Sequence, residues 1–159
     1  MQPGVIPDFR REYQFLSNFW LVGVWLDGVL YRSVEHAYQA AKTLHPRERE
    51  WVAGAPGPAA AKIIGGQVTL RPDWEEIKVQ VMLDLLRQKF SRGSKLAEVL
   101  DSTGGALLVE VNTWRDRFWG VYKGEGLNWL GILLMQVRDE NRERPANVPQ
   151  PRRKKTGKI

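Results

Sequence analysis

The chain has 159 residues, 43% of them hydrophobic, which predicts one domain with a substantial buried core. It contains no cysteine and only two histidines, which excludes disulfides, thiolate metal sites and a cysteine nucleophile and argues against a histidine-rich metal site. Because the N-terminal sequence has no apolar run of signal-peptide length and cysteine is absent, we expect a cytoplasmic protein.

The formal net charge of +6 originates at the C-terminal end. From Glu140 onward there are seven Lys or Arg against two acids, whereas residues 1–139 hold 17 basic and 16 acidic groups. The last stretch is also rich in Pro, so we predict a folded domain over 1–140 and a basic, disordered tail over 141–159. Such a tail either solubilises the protein or contacts the phosphate backbone of a nucleic acid.

The first predicted element is a β-hairpin. Two β-rich runs, near 19–26 and 29–32, flank Asp27-Gly28, a dipeptide that favours a two-residue turn. Ser33 can then serve as the N-cap of a helix that runs to about Leu44, because the following His45-Pro46 cannot continue it.

The middle of the chain is mainly helical. Short helices are predicted over "REREWVAG", over an Ala-rich stretch that stops at Gly65-Gly66, and over "SKLAEVLDST". The longest helix, "WEEIKVQVMLDLLRQKF", follows Asp73 and Glu76, which resemble a capping box. The run "ALLVEVN" suits a buried strand, and the last helix starts near Leu127. Helices outnumber strands, so we predict an α+β fold, predominantly α-helical, with a small β-hairpin and short strands.

The stretch "YRSVEHAYQAAK" is the first candidate for chemistry. At about 100° per residue, its helix presents four polar side chains within about 100° of arc: Glu35, Tyr38, Gln39 and Lys42. An ordinary amphipathic helix would turn this side to water. Glu35 and Lys42 are two turns apart, roughly 10 Å along the axis, which also leaves room for a small ligand between a carboxylate and an amine.

A second candidate is "NTWRDRFWGVYKGEGLNWLG", residues 112–131, with three tryptophans and four glycines. Either the tryptophans are core and the glycines are turns, or the segment is an aromatic wall beside backbone that a ligand approaches closely. Arg115 and Arg117 suit a phosphate or a carboxylate, and Asn128 could cap a helix or present amides to an anion. In a third, weaker candidate, Ser17-Asn18 lies among aromatic residues as a turn or a ligand contact.

Taken in order, "FLSNF", "YRSVEHAYQAAK", "DW…K…M…KF", "LVEVN", "DRFWGV" and "GLNWLGILLMQVR" resemble the NADAR family of YbiA-like proteins, linked to NAD and ADP-ribose chemistry. The resemblance runs from about Phe9 to Arg138, stops at the basic tail, and is interrupted by the Trp-Arg pair before Asp116. It implies a single compact domain and an N-glycosidase that cleaves the bond between a nitrogen base and a phosphorylated ribose. Two substrates are implied: ADP-ribose on modified guanine bases, and ribosyl-phosphate intermediates of riboflavin synthesis.

The resemblance also implies the site. Lys42 is expected as nucleophile or leaving-group partner, Glu35 as its proton-transfer partner, and Asp116 as organiser of ribose or water. The expected substrate contacts are Asn18, Phe19, Tyr38, Gln39, Arg115, Arg117, Trp119, Gly120 and Asn128. No metal or cofactor is expected. A Schiff-base route would require a lowered pKa at Lys42, through burial or a neighbouring cation such as His36 or an arginine.

Two further functions stay open on the sequence. A non-catalytic module that binds ADP-ribose or NAD would need the same pocket but would tolerate the loss of Lys42. A nucleic-acid-binding protein would act through the basic tail instead. A membrane partner is not expected, because the most apolar stretch, "LNWLGILLMQVR", is shorter than the about 20 residues that a bilayer span needs.

Overall fold

The computed structural model of the protein describes residues 4–143, and most of their regular structure is helical. The helices are α1 (Val34–Ala41), α2 (Pro46–Ala53), α3 (Pro58–Gly65), α4 (Trp74–Lys89), α5 (Lys95–Asp101) and α6 (Trp129–Glu143), with a 3-10 helix over Arg11–Leu16. The strands are β1 (Val5–Ile6), β2 (Leu21–Leu26), β3 (Val29–Ser33) and β4 (Leu107–Leu108). The predicted α+β, mainly helical fold is therefore confirmed.

The two-stranded sheet of β2 and β3 is the predicted hairpin. Its strands are antiparallel, and the turn residues Asp27 (φ 47°) and Gly28 (φ 84°) both have the positive φ that a type I′ turn requires. By contrast, β4 is only two residues long and pairs in parallel with β1. The strand expected over "ALLVEVN" ends early because Glu110 pairs with a loop: the Val121 amide donates to its carbonyl oxygen over 2.8 Å.

Helix α1 lies at the centre of the fold, where it contacts α2, α3, α4 and both strands of the hairpin. All eight of its residues are buried, so its polar side does not face bulk water as an ordinary amphipathic helix would. Ser33 is its N-cap as predicted, since the Ser33 hydroxyl accepts from the His36 amide over 3.1 Å. Helix α3 comes close to α1 at Gly65, where a Cβ atom would lie 1.9 Å from Oε1 of Gln39.

The C-terminal end of α1 lies three residues before the predicted one. The carbonyl oxygen of Lys42 accepts from the Arg71 amide over 2.7 Å, and that of Thr43 accepts from Nε of Arg49 over 2.8 Å. Because partners outside the helix take these carbonyls, the chain leaves the helix and Leu44 is exposed.

The starts and ends of the other helices differ from the sequence prediction in two places. Asp73 makes no capping bond to α4, because its carboxylate pairs with Arg71, with Oδ1 lying 2.6 Å from Nε. Helix α6 continues to Glu143, so the domain boundary predicted at 140 falls inside it, and residues 144–159 of the predicted tail lie outside the described residues. None of the described helices combines the length and the hydropathy needed to cross a bilayer.

Candidate active site

A cavity of about 560 Å³ opens beside α1. Its wall is built by the 9–19 segment, by α1, by single residues of α3, α4 and α6, and by the 110–119 segment. Eight of the predicted site residues line it: Asn18, Phe19, Glu35, Tyr38, Gln39, Lys42, Asp116 and Trp119. The fold therefore brings together three stretches that are up to about 100 residues apart in the sequence.

Glu35 occupies the first turn of α1 with only 7% of its surface exposed. Its amide donates to the carbonyl oxygen of Asn18 over 3.1 Å, which joins the helix to the 9–19 wall. Burial raises the pKa of the Glu35 carboxyl above its usual value, an effect opposed by a 2.8 Å hydrogen bond from Nε2 of Gln39 and by the charges of Lys62 and Lys42. The carboxyl can thus hold or release a proton within the cavity.

Lys42 follows the last turn of α1, on the same wall as Glu35. Burial lowers the pKa of its amine, and the charges of Lys62 and Lys78 lower it further, whereas Glu35 acts in the opposite direction. The pKa of Lys42 is thus lowered, as the Schiff-base route requires. The cations that contribute are lysines, not His36 or an arginine. His36 is buried, with Nδ1 2.7 Å from the Ser33 hydroxyl, and burial lowers its own pKa toward the neutral form.

An aromatic cluster forms one side of the cavity. Nε1 of Trp119 donates to the Tyr38 hydroxyl over 3.0 Å, and the two rings meet edge to face with centroids 5.5 Å apart. Tyr38 also contacts the Trp74 ring, and Phe118 contacts Trp119. Burial raises the pKa of Tyr38, so its hydroxyl stays protonated at neutral pH. These contacts fix the Trp119 ring in place as a rigid part of the wall.

Asp116 is fixed by its own loop. Its Oδ1 accepts from the Phe118 and Trp119 amides over 3.0 and 2.9 Å, and Asn112 bonds both its amide and its carbonyl oxygen. The backbone of Arg115 takes a positive φ of 67° to make this turn. One carboxylate oxygen is therefore committed to the backbone, whereas Oδ2 accepts no hydrogen bond within residues 4–143.

Four of the predicted contacts do not line the cavity. Arg115 is exposed, and Arg117 reaches outward to Glu125, with Nη2 and Oε2 3.6 Å apart. Gly120 and Asn128 lie behind the wall and contact the backbone of Glu110 and Leu108. The two arginines have a common reason: the loop turns the Asp116 and Trp119 side chains inward, which directs the arginines on either side of Asp116 outward.

The cavity also contains residues that the sequence did not single out as site residues. Its wall includes Arg10, Lys62, Glu110 and Trp114, with Nζ of Lys62 lying 4.9 Å from the centre of the Trp114 ring. A signal existed for Glu110, since it is the single acid in the apolar run "ALLVEVN". Lys62 and Arg10 had none, because exposed cations on a short helix and a turn are ordinary features of a surface.

Three buried side-chain oxygens beside the cavity have no hydrogen-bond partner within residues 4–143: Oδ1 of Asn18, Oε1 of Gln39 and Oε2 of Glu110. Unpaired buried acceptors are uncommon, because each loses its hydration without compensation. No group of three His, Asp or Glu residues in this part of the chain is arranged to hold a metal ion. The polar character of the site thus comes from carboxyls, amides and lysines.

The chain belongs to the NADAR domain family, whose sequence profile matches residues 8–142. It is 37% identical to the N-glycosidase YbiA of Escherichia coli over 132 residues, which cover 81% of this chain and 82% of that protein. The solution structure of Escherichia coli YbiA superposes with a TM-score of 0.77 at 35% identity and covers 92% of both chains. A riboflavin biosynthesis protein of Vibrio vulnificus is 39% identical over 153 residues, which make up 94% of this chain but 41% of that protein.

These similarities confirm the family resemblance and the fold that were predicted from the motifs. They assign no role to any residue, so the roles of Glu35, Lys42 and Asp116 remain predictions.

Proposed function

We propose that this protein is an N-glycosidase that hydrolyses the bond between a nitrogen base and C1′ of a phosphorylated ribose. The observation that carries the proposal is the placement of buried Glu35 and half-buried Lys42 on one wall of a cavity, where both pKa values move toward the neutral forms. Relatives named N-glycosidases support the same reaction class. The volume of about 560 Å³ falls within the range of about 300–1,000 Å³ that is usual for small-ligand sites.

The chemistry begins with cleavage of the C1′–N bond, which develops positive charge at C1′ and negative charge on the base. A neutral Lys42 amine can attack C1′, and after ring opening the adduct becomes a Schiff base that water hydrolyses. Alternatively, water attacks C1′ directly and gives a proton to the Glu35 carboxylate. Asp116 would orient the ribose hydroxyls or the water through its free oxygen.

The phosphate end of the substrate would meet cations. Lys62 and Arg10 line the cavity, and their charges suit a phosphate, whereas Arg115 and Arg117 point away from it. We therefore transfer the expected phosphate contact from the two loop arginines to Lys62 and Arg10. The base or the adenine would lie against Phe19 and Trp119.

Two substrate classes fit this proposal: ADP-ribosylated guanine and ribosyl-phosphate intermediates of riboflavin synthesis. The riboflavin class gains support from the relatives of Vibrio vulnificus and maize, which are named riboflavin biosynthesis proteins. Contact of the basic tail with nucleic acid and a cytoplasmic location also remain proposals.

The test is to incubate the protein with both substrate classes, measure base release, and add borohydride to trap a Schiff base. We expect base release from at least one class, and its loss in Lys42→Ala. The matched control is Lys95→Ala, whose exposed amine lies on α5 away from the cavity. If a borohydride adduct forms in the unchanged protein and not in Lys42→Ala, the Schiff-base route is supported.

Two outcomes would contradict the proposal. Turnover that is unchanged in both Lys42→Ala and Glu35→Ala would show that these two residues are not the catalytic site. Absence of any base release, combined with ADP-ribose affinity that persists in Lys42→Ala, would instead indicate a non-catalytic binding module.

A further inference from the structure

Glu110 has the features of a reactive group, although it lies outside the expected set of site residues. Its carboxyl lines the same cavity as Glu35 and Asp116, and its Oε2 is buried without a hydrogen-bond partner in the described part of the chain. A buried carboxyl oxygen without a hydrogen-bond donor destabilises the fold, so a purely structural role does not account for this one.

The surrounding backbone holds Glu110 in one position. Its amide donates to Oδ1 of Asn128 over 3.0 Å, and its carbonyl oxygen accepts from the Val121 amide over 2.8 Å. Gly120 packs so closely that a Cβ atom there would lie 2.2 Å from the Glu110 carbonyl oxygen and 2.9 Å from its Cγ. Gly120 and Asn128, expected to contact the substrate, thus position Glu110 instead.

The two glutamates of the cavity differ in their surroundings. Oε1 of Glu35 accepts a hydrogen bond from Gln39, and the charge of Lys42 lies nearby, both of which favour the ionised form. Oε2 of Glu110 accepts none from the described residues. Burial raises the pKa of both carboxyls, and the contrast between them lies in the hydrogen bond that only Glu35 receives.

Burial is the main cause that raises the pKa of Glu110, to about 7. Several charged groups face it from the elements around it: Asp8, Glu35, Lys62, Lys89 and Asp116. The acids raise the pKa of Glu110 and Lys62 lowers it. Glu110 is therefore largely protonated below neutral pH, and it loses the proton as the pH rises through about 7.

We infer that Glu110 is a further catalytic residue, the acid that protonates the departing base, an assignment that rests on the proposed N-glycosidase function. As the C1′–N bond breaks, its electron pair passes to the base nitrogen, which takes the proton of the Glu110 carboxyl. Water supplies the oxygen that adds to C1′, directly or by hydrolysis of a Lys42 adduct. Its remaining proton, which the Glu35 carboxylate takes first in the direct route, returns through solvent to restore Glu110. The base then leaves as a neutral molecule.

The experiment compares two leaving groups in the full-length protein. An N-ribosyl aminopyrimidine phosphate needs a proton on its base, whereas a nitrophenyl riboside phosphate releases a stable phenolate that needs none. Glu110→Gln should lower kcat for the first substrate by about 100-fold or more and for the second by less than about threefold. The decline of kcat/KM above pH 7 should be present in the unchanged protein and absent in Glu110→Gln.

Glu98→Gln is the matched control, because this exposed glutamate of α5 lies away from the cavity. If Glu110→Gln does not fold, Glu110→Asp replaces it: the acid is kept but withdrawn by one methylene, so the pH dependence should persist with a lower kcat for the aminopyrimidine substrate alone. Equal loss on both substrates, or no loss on either, overturns the assignment of Glu110. A protein that cleaves no N-glycoside in any form overturns the proposed function, and this assignment with it.

Discussion

Helix α1 and the 112–131 segment both contribute to the cavity, but the sequence predicted the cavity-lining side chains of α1 far better than those of the segment. The four polar residues that helical spacing placed together, three on α1 and Lys42 directly after it, all line the cavity. In the 112–131 segment, only Asp116 and Trp119 of the six expected site residues do so. A regular helix repeats one geometry, whereas an irregular segment takes its geometry from tertiary hydrogen bonds such as those between Asn112 and Asp116.

The largest expected effect comes from α1. Glu35→Gln keeps the shape of the side chain and removes its proton transfer, so we expect kcat to fall by about 100- to 10,000-fold. Glu76→Gln, on an exposed position of α4, should leave kcat unchanged. Base-release kinetics on both variants measure this, and a fall of less than tenfold in Glu35→Gln would show that α1 only forms part of the wall.

A second substitution tests the positive charge of Lys62, which α3 places in the cavity beside Lys42. Lys62 lowers the pKa of Lys42, so Lys62→Met should raise that pKa and move the rising limb of kcat against pH to higher pH. If Lys62 also holds the phosphate, KM should rise by about 10- to 100-fold, the loss expected for a hydrogen bond to a charged group. Lys95→Met is the control, and an unchanged pH profile with an unchanged KM would exclude both roles.

The third change concerns the contact between the 112–131 segment and Glu110. Gly120→Ala would bring a Cβ atom within 2.2 Å of the Glu110 carbonyl oxygen, so the backbone must shift. We expect a loss of about 1–3 kcal/mol in the free energy of unfolding, as for other overpacked positions, measured with urea. Gly4→Ala, where nothing lies within 4 Å, should change it by less than about 0.5 kcal/mol. Equal stability of the two variants would mean that the segment adapts freely.

The smallest effect is expected for the outward-facing arginine. The Arg117 side chain is 53% exposed, and its pair with Glu125 is of the surface kind that contributes about 0–1 kcal/mol. Arg117→Ala should therefore leave both the free energy of unfolding and KM nearly unchanged. A tenfold rise in KM would instead show that the segment turns inward to meet the substrate, which would remove the contrast with α1.

The elements that the sequence predicted well are those with a local cause. The Asp27-Gly28 turn, the Ser33 cap and the Gly65-Gly66 helix end all depend on residues within a few positions of one another. The Asp73 cap was wrong because Arg71 takes its carboxylate, and the strand over "ALLVEVN" was too long because the loop at Val121 pairs with Glu110. In both cases a partner outside the predicted element competes for the same hydrogen bond.

The sequence by itself determined the family, the mainly helical fold and the helix on which Glu35 and Lys42 share a side, because motif order and helical spacing are properties of the chain alone. Only the tertiary structure decided that this side faces a cavity, that Lys62 acts on Lys42, and that Glu110 joins them. The pKa values of Glu35, Lys42 and Glu110 are shifted by burial and by charges from distant parts of the sequence. Both causes arise only when α3, α4 and the 110–119 segment pack against α1.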